Sequence, residues 1–104
     1  MRAGKYKHKV TLLSPTHDTS GLGDTVTWNT VTTVWASIEP AAGSEMFRQG
    51  QISAEISHII SMRYRRDIKP SWRISFKGRT FLLKSVIDTG EAERELVITA
   101  TEGL

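Results

Sequence analysis

Alternating carboxylates at Glu91, Glu93 and Glu95 are the part of this sequence most like a catalytic group. General acid-base hydrolysis needs two carboxyls in different environments around a pocket, so that one holds a proton while the other is ionised. Glutamates spaced by two on a strand share one face and one environment, and these read as a solvated acidic face. The imidazoles His8, His17 and His58 form no metal motif. His17-Asp18 is a loop dipeptide, and His58 lies among apolar partners on a strand face, where the ring must be packed or hydrogen-bonded. Gly21-Leu22-Gly23 lacks the further glycine, lysine or strand-to-helix context of a phosphate-binding loop. The absence of cysteine excludes disulfides, thiolate zinc sites and cysteine nucleophiles. The sequence thus offers no catalytic residue, no metal site and no cofactor site.

Basic residues are the stronger signal. The chain has 14 Lys and Arg against 11 Asp and Glu, a formal charge of +3, and the positive residues are clustered. One group is Arg2, Lys5, Lys7 and Lys9; the other is Arg63, Arg65, Arg66, Lys69, Arg73, Lys77 and Arg79. With Tyr64 and Trp72 nearby, the second group has the residue types of a single-strand binder, which stacks bases on aromatics and tracks phosphates with cations. Both aromatics, however, fall on apolar strand faces and read as core. Arg63, Arg65, Arg66 and Arg73 then serve either a subunit interface or proximity to DNA, with the Glu91, Glu93 and Glu95 face as the complementary patch.

The elements that position these residues are strands. Val10 and Leu12 alternate with Lys9 and Thr11, and Ser14-Pro15 opens a polar loop running to Asp24. Residues 25–39 are rich in Thr, Val, Trp and Ile, with a bend at Asn29-Thr30. Val34, Ala36 and Ile38 face inward, Trp35 faces outward, and Pro40 ends the pairing. Residues 41–54 form a long inter-strand excursion with a short, weak helix, for which Ser44 is the N-cap and which Gly50 weakens. Ile56, His58, Ile60, Met62 and Tyr64 share the next strand face, with Ile59 as the exception. A turn at Lys69-Pro70 leads to Trp72, Ile74 and Phe76. A tight hairpin at Lys77-Gly78 or Gly78-Arg79 leads into Phe81, Leu83 and Ser85. After a turn at Asp88-Thr89-Gly90, the last strand places Leu96, Ile98 and Ala100 on one face.

About six short antiparallel strands in a chain of 104 residues predict an all-β fold, closed into a small barrel that removes exposed edges. The length predicts one domain over 1–104, with roughly 60 to 70% of the unfolded surface buried. Hydrophobic residues make up 38% and charged residues 24%, an ordinary globular balance that leaves little spare core for a loop-rich chain. The opening MRAGKYKHKVTLL carries no apolar stretch of signal-peptide length, and no run of about 18 apolar residues occurs. The expectation is a protein made in the cytoplasm, without a membrane partner.

The ordered set of MRAGKYKHKVTLL, WASIEP followed by Gly43-Ser44-Glu45, residues 58–67 around Met62-Arg63-Tyr64, Arg73-Ile74 and Gly78-Arg79-Thr80-Phe81 resembles the bacteriophage head-tail joining proteins, of the siphophage head completion or stopper type. The resemblance covers nearly the whole chain. It implies a β-barrel subunit of a virion, assembled in the bacterial host cytoplasm as a homo-oligomeric, dodecameric ring from a chain that is monomeric in isolation. Its partners would be a portal or adaptor ring, tail proteins and, non-specifically, the double-stranded DNA in the channel. The long inter-strand loop would face that channel and close it after packaging. Here that loop corresponds to Gly43, Ser44, Glu45, Met46, Phe47, Arg48, Gln49 and Gly50, where glycines flank bulky residues. Arg63, Arg65, Arg66, Arg73, Glu91, Glu93 and Glu95 would form the subunit or portal-side interface. A small-barrel nucleic-acid-binding protein and a tail-completion or terminator subunit are the alternative readings.

Overall fold

A computed structural model describes residues 6–18, 21, 23, 25–43, 48, 50, 55–88, 90 and 93–103. Six strands, β1 (His8–Asp18), β2 (Thr25–Pro40), β3 (His58–Arg63), β4 (Arg73–Phe76), β5 (Arg79–Asp88) and β6 (Glu95–Gly103), close into a barrel in the order β1-β2-β3-β6-β5-β4. Every neighbouring pair is antiparallel. The period-two pattern fills the interior: Val10, Leu12, Ala36, Ile60, Met62, Ile74, Phe81, Leu83, Leu96, Ile98 and Ala100 form one buried cluster. Ile68 joins it from the β3–β4 turn, and Val34, Ile38, Tyr64, Trp72, Phe76 and Val86 pack against it. Full burial of a side chain such as Phe81 or Leu12 contributes about 1.5–3 kcal/mol each.

Three local expectations are corrected. The stretch from Ser14 onward does not leave the sheet: β1 continues to Asp18, paired in register with β2 from Leu13↔Thr30 to Asp18↔Thr25. Its inner-facing residues have no core to meet, so the strand carries polar side chains and resembles a loop in sequence. Nor does the chain bend at Asn29-Thr30. β2 is continuous, and the register shifts where Leu12 pairs with Thr32 and Leu13 with Thr30, leaving Val31 as the extra residue of a bulge. A second shift lies between Leu83 and Ser85. It moves Ser85 off the core face, and Val86 packs against the cluster in its place.

Trp35 faces outward and is 57% exposed. Ile59 lies on the outer face as expected, yet is only 3% exposed, with its cross-strand partner Thr99 at 5%. Within 41–54, a 3₁₀ turn forms at Ala41–Gly43. Ser44 and the rest of the expected short helix, apart from Arg48 and Gly50, lie outside the described residues.

Strand alternation sorts the connections between the two ends of the barrel. β2 ends, β3 begins, the β4–β5 hairpin turns, β1 begins and β6 ends at one end; the β1–β2, β3–β4 and β5–β6 connections belong to the other. At the first end Phe76 pairs with Arg79 around a two-residue loop in which Lys77 and Gly78 have φ of 50° and 79°. Two positive φ values make a type I′ turn, whose twist matches that of the flanking strands. Glycine suits the second position, whereas lysine at the first is strained by about 1–2 kcal/mol.

Replacements in this turn should therefore have opposite signs. Lys77→Asn is expected to raise the unfolding free energy by up to about 1 kcal/mol, and Gly78→Ala, which meets no atom within 4 Å and adds only backbone strain, to lower it by about 1–2 kcal/mol. Urea unfolding of the two variants measures both.

Candidate functional site

At the end where β2 hands over to β3, four side chains from distant parts of the sequence form a network. Arg79, at the start of β5, makes two parallel bonds to Glu102 near the end of β6, from Nη2 to Oε1 at 2.9 Å and from Nε to Oε2 at 3.2 Å. The same Nη2 lies 3.2 Å from Nε2 of His58, the first residue of β3. A guanidinium can only donate, so Nε2 accepts and the proton of the neutral ring sits on Nδ1. That N–H then donates to Ser57 Oγ at 2.9 Å, and the same oxygen accepts the Glu102 backbone N–H at 2.8 Å.

Phe81 packs beneath this network. Its ring meets the His58 ring edge-on at 5.1 Å, and the Arg79 guanidinium lies 5.1 Å from its centroid. The backbone joins in through Ser57 N–H to Ala100 O at 3.0 Å and Ala41 N–H to Ser57 O at 2.9 Å. The two roots of the excursion between β2 and β3 are thus bonded to each other, and the second is bonded to β6. The hydrogen bonds from Arg79 hold the Glu102 carboxyl below its usual range, and Glu102 in turn raises Arg79. Both groups are more than a third exposed, so the pair is subject to screening by salt.

The other end carries the arginines. Arg65 grips Asp67 through Nε to Oδ1 at 3.1 Å and Nη2 to Oδ2 at 2.8 Å, which lowers the Asp67 pKa. Arg73 pairs with Leu13 across the β1–β4 ladder and lies 4.1 Å over the Trp28 ring. Arg63 stands directly opposite Glu95 on adjacent strands, and Glu95 accepts a hydrogen bond from the Tyr6 hydroxyl. Burial, followed by that bond, pushes the Tyr6 pKa up to about 12. Arg66 is exposed, and so is Glu93, which has a φ of 54° and donates its backbone N–H to Asp88 Oδ1 at 3.1 Å.

The model of the phage head completion proteins matches residues 1–103. This chain belongs to that family. It is a structural protein of the phage head. The solution structure of protein SF1141 from Shigella flexneri 2a superposes with a TM-score of 0.74 at 26% identity, covering 99% of this chain and 97% of that one. A chain in the virion of a native gene transfer agent particle superposes with a TM-score of 0.68 at 20% identity, over 93% of this chain and 94% of that one. No curated protein matches the chain by sequence.

For this head completion protein, the barrel brings some sequence-predicted site residues together and separates others. Arg63 and Glu95 meet within one chain, Arg65 is turned onto Asp67, and Arg73 is turned onto the β1–β2 hairpin. Of the predicted channel loop, Gly43 closes the 3₁₀ turn, Arg48 is exposed, and Gly50 has a φ of 70° that glycine accommodates readily. Ser44, Glu45, Met46, Phe47 and Gln49 lie outside the described residues, as does Glu91. His58 is packed and hydrogen-bonded, as its surroundings in sequence imply. Its partners Arg79 and Glu102 escape sequence reasoning, because only the strand register makes them neighbours of the Ser57-His58 pair.

Glu102→Gln removes the charge and keeps the shape. A depressed folded-state pKa means that the stabilisation from Glu102 is complete above the unfolded value and is lost as pH falls through the folded one. At neutral pH and low salt the native protein is expected to unfold at higher urea than the variant. The gap should close below the ordinary glutamate range, and at high salt.

Proposed function

We propose that this head completion protein assembles as a homo-oligomeric ring at the portal vertex, joins head to tail and closes the DNA exit after packaging. The observation that carries the reading is the anchoring of the β2–β3 excursion. The excursion leaves and re-enters at one barrel end, with its roots tied by the Ala41–Ser57 backbone bond and by the network of Ser57, His58, Arg79 and Glu102. A channel-closing segment needs such a fixed base, so that force on the segment is carried by the barrel. Gly43, Ser44, Glu45, Met46, Phe47, Arg48, Gln49 and Gly50 are the channel-facing element of this proposal. The mechanism is steric obstruction and conformational change, with no cofactor and no bond-making chemistry.

In this proposal Arg63, Arg65, Arg66, Arg73, Glu91, Glu93 and Glu95 serve contacts with neighbouring subunits, the portal or adaptor ring and tail proteins; of these, the described residues Arg63, Arg65, Arg66, Arg73, Glu93 and Glu95 stand at the opposite end. A lumen lined with repeated arginines would hold DNA through many neutralised phosphates and resist its passage. Internal pairing of Arg65 with Asp67 and stacking of Arg73 on Trp28 are compatible with a role away from the DNA. Tyr64 and Trp72 pack against the core, which withdraws them as base-stacking platforms and supports the connector over a stand-alone nucleic-acid binder.

Electron microscopy of particles assembled without this protein tests the proposal. Tailless capsids that have lost their DNA are the expected result. Full, tailless capsids would leave joining without closure, and normal tailed virions would reject both roles. Particles carrying a chain that lacks residues 43–50 are expected to contain the ring and leak DNA; full DNA retention would remove the channel role from that segment.

A further inference from the structure

The barrel does not use all of β1 and β2. β3 pairs with β2 only from Ala36 to Pro40, and β4 pairs with β1 only from Thr11 to Leu13. Beyond those points the two strands continue, paired with each other alone, as a two-stranded arm. Among the described residues, 14–18 of β1 and 25–29 of β2 lie back to back in this arm, each with a free edge, and the open β2 edge runs on through 30–35, where the β1 residues behind it belong to the barrel wall. A lone hairpin is marginally stable, and free edges present unpaired N–H and C=O groups to any strand that meets them.

The β2 edge lacks most of the usual guards. TVTWNTVTTVW contains no charged residue and no proline, it is rich in β-branched and aromatic side chains, and only the bulge at Val31 interrupts it. Val26, Val31 and Trp35 along it are exposed. The β1 edge is uncharged from Ser14 to Thr16, although Pro15 withholds one donor there. The arm is held to the barrel by the Arg73–Trp28 contact and braced across its own strands by the Asn29–Thr16 side-chain bond.

We infer that the arm is an interaction surface for a second copy of this chain: the free β2 edge of one copy pairs with the free β1 edge of the next. The two edges carry no like charges to oppose each other, and they occur on opposite sides of every arm. Repeated head-to-tail pairing therefore leaves one edge always open for the next copy, until a ring closes. Pro15 limits the contact on the β1 side to a short ladder. This inference rests on the ring of the proposed function.

The chain has no cysteine, so introduced thiols report unambiguously. Ser14→Cys copies with one epitope tag and Thr27→Cys copies with another are co-assembled into particles and treated with a short bismaleimide. Ser14 and Thr27 share the same face of the arm, and neither belongs to the buried core. The expected product is a two-tag dimer from the mixture, strongly reduced in particles made with either variant alone. A dimer from Thr27→Cys alone would mean that β2 edges pair with each other, and would overturn the head-to-tail pairing. Particles that contain the protein in ring form but yield no dimer would overturn the arm contact and leave the ring standing. Absence of the protein from particles, scored by tag immunoblot, would overturn the ring reading and this inference with it.

Discussion

Closure of the barrel depends on a narrow seam. β1 and β2 share eleven cross-strand partners, whereas β1 and β4 meet at only three, Thr11 with Ser75, Leu12 with Ile74 and Leu13 with Arg73. The middle pair places two fully buried side chains side by side, so the seam is held as much by the core beneath it as by its own ladder. Without it, β4 would be a four-residue edge hanging from β5, and the interior cluster would open to water along one side. The partners are far apart in sequence, which makes this a pairing whose loop-closure cost must be met before its contacts contribute.

The same seam divides the molecule into working parts. Below it, alternating apolar residues from six strands form the core, and the polar network of Ser57, His58, Arg79 and Glu102 ties the roots of the β2–β3 excursion to that core. Above it, β1 and β2 have no further strand partners among the described residues and run on as an arm. Arg73 sits where the two regimes meet: its backbone belongs to the seam, and its guanidinium lies on Trp28 of the arm. A barrel with the roots of an excursion pinned at one end and an open-edged arm at the other is suited to assembly, since among the described residues the open strand edges lie on the arm, where they can meet another chain.

Legibility in the sequence followed burial. Strands with one face on the core, such as those carrying Ile60 and Met62 or Leu96 and Ile98, show clean alternation and were readable from it. The β1 side of the arm was not, because Ser14 and Thr16 face no core and hydrophobic periodicity arises only where one face is buried, whereas the β2 side was legible from its β-branched and aromatic content. The bulges at Val31 and near Lys84 were also hidden, since one extra residue changes which side chains point inward without changing composition. Ser85 was expected on the core face for that reason, and Val86 occupies it. The arginines were legible as a cluster but not as individuals: the register that sets Arg63 opposite Glu95, and turns Arg65 onto Asp67, is a property of the closed barrel. His58 could be read as a satisfied histidine, while its partners at Arg79 and Glu102 could not.

The Val31 bulge also makes the arm a gauge. In β2 the inward positions are Thr32, Val34 and Ala36 on the barrel side of the bulge, and Asn29 and Thr27 on the arm side, so the bulge separates two facing patterns at a fixed point. Residues added beyond Trp28 in matched pairs, two on each strand, would extend the tip by roughly 6–7 Å per step while keeping Trp28 on Arg73 and leaving the barrel register untouched. A single residue inserted there would instead turn the side chains beyond it to the opposite face. Reach can thus change in discrete increments independently of the core, and such a part can be matched to partners of different height without redesigning the fold that carries it.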